Sequence, residues 1–211
     1  MPVLAFPVLA AALGCAASPV NASLFKLKAM SQDPMQAEVI ALKVRFPDHA
    51  DPTAAIISIS HQRLYLYRDE RLVKTYPVST SKFGPGNKEG SFMTPLGAHY
   101  IRAKIGDGTP LGTIFKGRKD TQRVVKINYD AAIAADTDYI TTRILWLEGL
   151  EPGINCGKGI DSYARYIYIH GTHEEHLIRH PASHGCVRMT NRDVVELYDE
   201  MREGDLVLIV E

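Results

Sequence analysis

The sequence has no surplus of either charge. Lys plus Arg and Asp plus Glu both count 24 among 211 residues, so no long-range field gathers nucleic acid or holds the chain on an anionic membrane. No nucleic-acid partner is expected. Cysteine is scarce: Cys15, Cys156 and Cys186 lie far apart, without the paired Cys spacing of a common zinc site. Internal repeats, low-complexity tracts and a Gly-rich phosphate loop are missing, which argues against repeat architectures and P-loop chemistry. Residues 1–20, apolar and uncharged, are short and Pro-interrupted for a membrane span. What remains is an ordinary globular mixture, 45% hydrophobic and 23% charged, enough for one domain with a sizeable core plus a leader.

Residues 1–20, MPVLAFPVLAAALGCAASPV, resemble the apolar part of a secretory signal without its basic start, with small residues at Ala16, Ala17 and Ser18 for cleavage. Export is expected. Cys15 after Gly14 offers a second outcome, a lipidated membrane anchor. Cleavage ahead of Ser18 leaves Cys156 and Cys186, and an oxidising compartment would invite a disulfide between them.

Residues 21–53 read as a linker and an N-terminal helix. The helix is expected over 31–46, with Asp33 as cap, Pro34 in the first turn, Gln36 completing a capping box, and Met35, Val39, Leu42 and Phe46 as its stripe. From residue 54 to 211 the texture is mainly β. Ile57 and Ile59 alternate with serines; Leu64–Tyr67 and Leu72–Tyr76 flank a turn, as in an antiparallel meander with one face buried. A loop follows over 81–90. Strands resume near Ala98–Arg102, Ile144–Leu147 and Tyr166–Ile169. Thr190-Asn191-Arg192-Asp193 caps a helix through about Arg202, Gly204 stops it, and Leu206–Val210 closes the chain. The fold class expected is an antiparallel or mixed β-sandwich or partly open barrel with one or two flanking helices.

The chemistry concentrates in Ile169-His170-Gly171-Thr172 and Ser183-His184-Gly185-Cys186-Val187-Arg188-Met189. His170 ends a β run, a rigid base for an imidazole. Cys186 follows a glycine in a small-residue loop where the backbone can turn and leave the sulfur open. An adjacent imidazole activates a thiol as nucleophile, and N–H groups around Gly185 and Cys186 could converge on an oxyanion. Three blander readings compete. The dense histidines could hold a metal, although Pro181 breaks any single helix and H-E-x-x-H is missing. Cys156 and Cys186 could be bonded. His173, His176 and His180 could be solvated loop residues, and for those three this is the reading adopted.

Ser-His-Gly-Cys-Val-Arg-Met preceded by Ile-His-Gly-Thr resembles the active-site signature of L,D-transpeptidases of the YkuD family. Leu64-Tyr65-Leu66-Tyr67, Tyr76-Pro77-Val78-Ser79-Thr80 and Thr94-Pro95-Leu96-Gly97 resemble that domain's opening strands and Thr-Pro-x-Gly turn. The resemblance implies a periplasmic enzyme acting on peptidoglycan tetrapeptide stems, with no cofactor and no metal. Cys186 would form a thioacyl-enzyme with loss of the terminal D-Ala, and His170 would be the base, oriented by the Gly171 carbonyl. Main-chain N–H groups of His184, Gly185 and Cys186 would form the oxyanion hole, supported by Ser183. Arg188 would meet a stem carboxylate, with a structural ion pair as its alternative. Many relatives carry Asn at this last position. The acceptor is a second stem, a lysine of an outer-membrane lipoprotein, or water, the last making a carboxypeptidase. A non-catalytic wall-binding module and a zinc-binding periplasmic protein are the other classes.

Overall fold

The structure, a computed structural model, describes residue 33 and residues 35–49, 51–130 and 137–211. The expected leader over 1–20, with Cys15, lies outside the described residues, as does Pro34.

Among the described residues, helix α1 (Gln36–Arg45) precedes β1 (Thr53–Ser58), β2 (Arg63–Arg68), β3 (Arg71–Pro77), β4 (Gly97–Ile105), β5 (Thr113–Lys116), β6 (Lys119–Val124), β7 (Ile140–Gly149), β8 (Tyr168–Gly171) and β9 (Val187–Met189). Helix α2 (Asn191–Glu200) and β10 (Leu206–Val210) complete the chain. The strands form one open sheet in the order β3-β2-β1-β10-β4-β7-β5-β6, with β8 on β7 and β9 on β8. The pairs β1/β10 and β8/β9 are parallel and the others antiparallel. The expected mainly β class with flanking helices therefore takes the form of a mixed, open sheet.

Every residue of β1 is buried, so the alternation expected near Ile57 does not describe it. Both faces are covered. Ala55 and Ile57 face the main core with Leu64, Leu66, Leu145 and Ile169, while Ala54 and Ile56 face Val39 and Leu42 of α1. A strand buried on both sides reads as a continuous apolar run. Arg45 of α1 also pairs with the buried Glu151 at 2.5 Å.

The start of α1 departs from expectation. Met35 is its N-cap, with no side-chain cap. Gln36 donates its amide to the Glu70 carbonyl at 3.0 Å instead of completing a capping box. Asp33 accepts from the Met35 N–H at 3.0 Å and from the Tyr67 hydroxyl at 2.8 Å. Bonds to the β2–β3 region thus replace the local box. At α2 the expected cap is present, Thr190 Oγ1 accepting from the Asp193 N–H at 3.1 Å. The helix stops at Glu200, two residues early.

The site depends on β7, β8 and β9. Ile144, Leu145 and Trp146 pair with β4 along one edge and with β8 along the other. In turn, β8 pairs Ile169 with Val187, His170 with Arg188 and Gly171 with Met189. Ile169, Val187 and Met189 enter the main core. Side chains alternate across a strand, so Tyr168, His170 and Arg188 share the opposite face, and Cys186, in the bend before β9, packs with Tyr168.

Candidate active site

The loop carrying Cys186 is held from several directions. Ala182 and Ser183 donate their N–H groups to the Thr80 carbonyl at 2.9 and 3.0 Å, and Ser79 exchanges two bonds with Arg188 at 2.8 and 2.9 Å. Ser183 Oγ donates to the Cys186 carbonyl at 2.5 Å and accepts from the Gly185 N–H at 3.3 Å. Ser183 is therefore a buried brace inside the loop. The Gly185 N–H, expected to face an oxyanion, is engaged there already. Gly185 sits at φ +124°, which side chains rarely adopt, so the turn requires glycine.

His170 is 2% exposed. Its Nδ1 lies 2.7 Å from the Gly171 carbonyl. A carbonyl can only accept, so Nδ1 carries the proton and Nε2 keeps its lone pair. Burial lowers the imidazole pKa to about 4, against opposing contributions from Asp138 and the Gly171 bond. Gly171 lacks a side chain for a steric reason: a Cβ would come within 2.7 Å of Asn191 Oδ1 and 2.8 Å of the Thr141 carbonyl.

Cys186 is partly exposed and packs against the cluster of Phe115, Ile144, Trp146 and Tyr168. Its thiol donates to the Tyr166 carbonyl at 3.4 Å. Burial pushes its pKa up to about 12. With the thiol pKa raised and the imidazole pKa lowered by burial, both groups rest uncharged, and the Nε2 lone pair is not used by the Gly171 bond.

Arg188 also departs from its expected role. Its side chain is 2% exposed; Nη2 pairs with Asp138 at 2.5 Å and Nη1 with Glu174 at 3.1 Å. Two carboxylates of its own chain pair with the guanidinium, the arrangement given above as the alternative to a stem contact. Asp138 in turn touches His184, whose Nδ1 lies 3.4 Å from Asp138 Oδ2. Burial alone would raise the Asp138 pKa, but Arg188, His170 and the hydrogen bonds from Arg188 and His184 together hold it below the usual carboxylate range.

The other expectations sort by position. His173 is buried, 5% exposed, with its ring edge-on to Tyr139 at 5.0 Å, so it is not a solvated loop residue; His180 is exposed. Trp146 stacks on Tyr163 at 3.9 Å beside the cysteine. Tyr100 packs on His49 and donates to Glu148, within the β4/β7 pair. Cys156 and Cys186 are free thiols. Among the described residues no three His, Cys, Asp or Glu side chains are grouped to hold a metal.

Three neighbours of the site escaped sequence reasoning. Asp138 lies far from both motifs, and nothing around it marks a site. Tyr166 holds a left-handed backbone at φ 58°, invisible in a run that reads as strand. Arg118 occupies the β5–β6 turn at φ 66°; Gly117 before it was the available signal for a turn.

The L,D-transpeptidase catalytic domain family, YkuD, matches residues 52–209. A Bacillus licheniformis protein named L,D-transpeptidase YkuD is 26% identical over 172 residues, covering 81% of this chain and 73% of that protein. Among solved structures, L,D-transpeptidase 3 from Mycobacterium tuberculosis in complex with a faropenem-derived adduct is similar at TM-score 0.48 and 16% identity, over 76% of this chain and 60% of that one. An L,D-transpeptidase from Mycobacterium smegmatis is similar at TM-score 0.44 and 14% identity, over 76% and 59% respectively. The chain spans about three-fifths of the length of those two proteins. The family match takes in every strand with the loop that carries Cys186, and on that extent the chain belongs to the YkuD family of L,D-transpeptidase catalytic domains.

Proposed function

We propose that the domain is a cysteine L,D-transpeptidase that moves the acyl group of a peptidoglycan tetrapeptide stem through a thioester on Cys186. One observation carries the reading. The in-register β8/β9 pairing puts His170 opposite Arg188, two residues past Cys186, and Cys186 packs with Tyr168, two residues before His170; with the imidazole proton at Nδ1, this supports Nε2 as the acceptor of the thiol proton.

The thiol turns from the Tyr166 carbonyl toward the imidazole as substrate enters. Sγ bonds to the scissile carbonyl carbon while the thiol proton passes to Nε2. The negative charge moves to the carbonyl oxygen, facing the main-chain N–H groups of His184 and Cys186. Collapse expels the terminal D-Ala, whose amine takes the proton from Nε2, and leaves the thioester. An entering amine attacks, gives its proton to Nε2 and releases the thiol. The imidazolium exists only in passing, and the Gly171 carbonyl and the nearby Asp138 charge stabilise it. The wall substrate implies export through residues 1–20.

Incubation with tetrapeptide stems, followed by mass spectrometry of the products, tests the reading. Loss of D-Ala with a cross-linked dimer, or with attachment to a lipoprotein lysine, supports it. Release of tripeptide alone makes the enzyme an L,D-carboxypeptidase with the same pair. No loss of D-Ala contradicts it.

A further inference from the structure

The donor stem ends in a carboxylate, and the diaminopimelate side chain carries another, yet the cation expected to meet one is neutralised by Asp138 and Glu174. A different cation stands at the site. The β5–β6 turn presents Arg118 at φ 66°, its guanidinium 4.8 Å from the centre of the Trp146 ring and 4.9 Å from that of Tyr166. It donates to the Tyr168 hydroxyl at 3.4 Å.

Two of these side chains lie in the cluster against the sulfur, and the third residue meets it through its main chain. Trp146 and Tyr168 form the cluster on which Cys186 packs, and the Tyr166 carbonyl accepts from the thiol. Among the described residues no carboxylate pairs with Arg118. Arg165, another cation near the sulfur, already donates to the Gly86 and Met93 carbonyls at 3.2 and 2.6 Å. Aromatic faces hold a guanidinium in place without neutralising it and leave its in-plane N–H groups free for an anion.

We propose that Arg118 is a specificity-determining residue that receives a carboxylate of the acyl donor beside Cys186. The assignment rests on the transpeptidase reading for the identity of the donor, while the anion site itself does not. Bidentate pairing with a planar guanidinium fixes both charge and orientation.

The test compares wild type, R118Q and R118K on a tetrapeptide stem and on two stems with one carboxylate amidated, either the terminal one or that of the diaminopimelate side chain. Wild type should discriminate against one amidated stem, which identifies the carboxylate. R118Q should raise KM for the free acid about tenfold with little change in kcat and lose that discrimination; R118K should recover it in part. Equal acid-to-amide ratios in wild type and R118Q overturn the proposal. A second measurement is independent of turnover: alkylation of Cys186 by iodoacetate relative to iodoacetamide, mapped by peptide mass spectrometry. The ratio should fall severalfold in R118Q. If no stem acylates wild type, the transpeptidase reading fails, and this ratio alone judges the anion site; an unchanged ratio overturns it.

Discussion

Thr94 Oγ1 donates a hydrogen bond of 3.0 Å to the Gly185 carbonyl, 91 residues further along the chain. The same oxygen accepts the Ser81 N–H at 3.0 Å. One buried hydroxyl thereby joins the Thr-Pro-Leu-Gly turn, the 81–90 loop and the residue before the cysteine. Thr94→Val keeps the shape and removes both bonds, leaving a buried N–H and a buried carbonyl unpaired. The expected cost is about 1–3 kcal/mol, with a drop in kcat because the Cys186 loop loses its tether. Chemical denaturation and turnover check this, and Thr94→Ser should restore most of both. Unchanged stability would show that Thr94 merely fills space.

Burial shifts both members of the proposed catalytic pair, lowering His170 to about 4 and raising Cys186 to about 12. Iodoacetamide should therefore label Cys186 slowly at pH 7, with a rate that climbs about tenfold per pH unit to beyond pH 10. The acid limb of kcat/KM should fall near pH 4, where the base becomes protonated, and not near the ordinary 6.5. Fast labelling that is flat from pH 5 to 9 would instead reveal a preformed thiolate.

Arg188→Met should leave Asp138 and Glu174, both in part solvent-exposed, without their buried cation. Because the carboxylates left behind keep contact with solvent, the cost should fall below that of a fully buried pair, about 1–3 kcal/mol, and the melting temperature should drop accordingly. A stable variant altered in KM alone would return Arg188 to the substrate-binding role first expected of it.

His99 and His170 are both buried neutral, each with its pKa lowered to about 4 chiefly by burial. The unfolded chain then binds more protons than the fold between pH 6.5 and 4. The stabilisation from keeping these rings neutral is complete above about 6.5 and is lost as pH falls toward 4, on the order of 3 kcal/mol for each ring. Thermal melting across that window should show the decline, and His99→Gln should make it shallower. A melting temperature constant from pH 6.5 to 4.5 would contradict the assignment.

His170 and Cys186 were legible because chemistry confines them to short motifs, and the family resemblance extended that reading to the Thr-Pro-Leu-Gly turn. Local signals also gave β2, β3, α2 and β10, whose apolar spacing or capping residues lie within a few positions of one another. The misses arise where distant parts decide. β1 loses its alternation because α1 covers its second face. β6, Lys-Asp-Thr-Gln-Arg-Val, is mostly exposed and carries no apolar period to read. Arg188 resembles a surface charge until Asp138, 50 positions earlier, meets it. The pKa values of the pair follow from desolvation, which belongs to the packed state and leaves no mark on a motif.

Intact-protein mass spectrometry after mixing with a tetrapeptide stem reports most directly on the thioester. Wild type should gain the mass of the stem less its terminal D-Ala, the adduct mapping to Cys186. His170→Ala should form it orders of magnitude more slowly, and Cys186→Ala, still folded, should form none. An adduct on any other residue, or undiminished release of D-Ala by Cys186→Ala, would contradict the account.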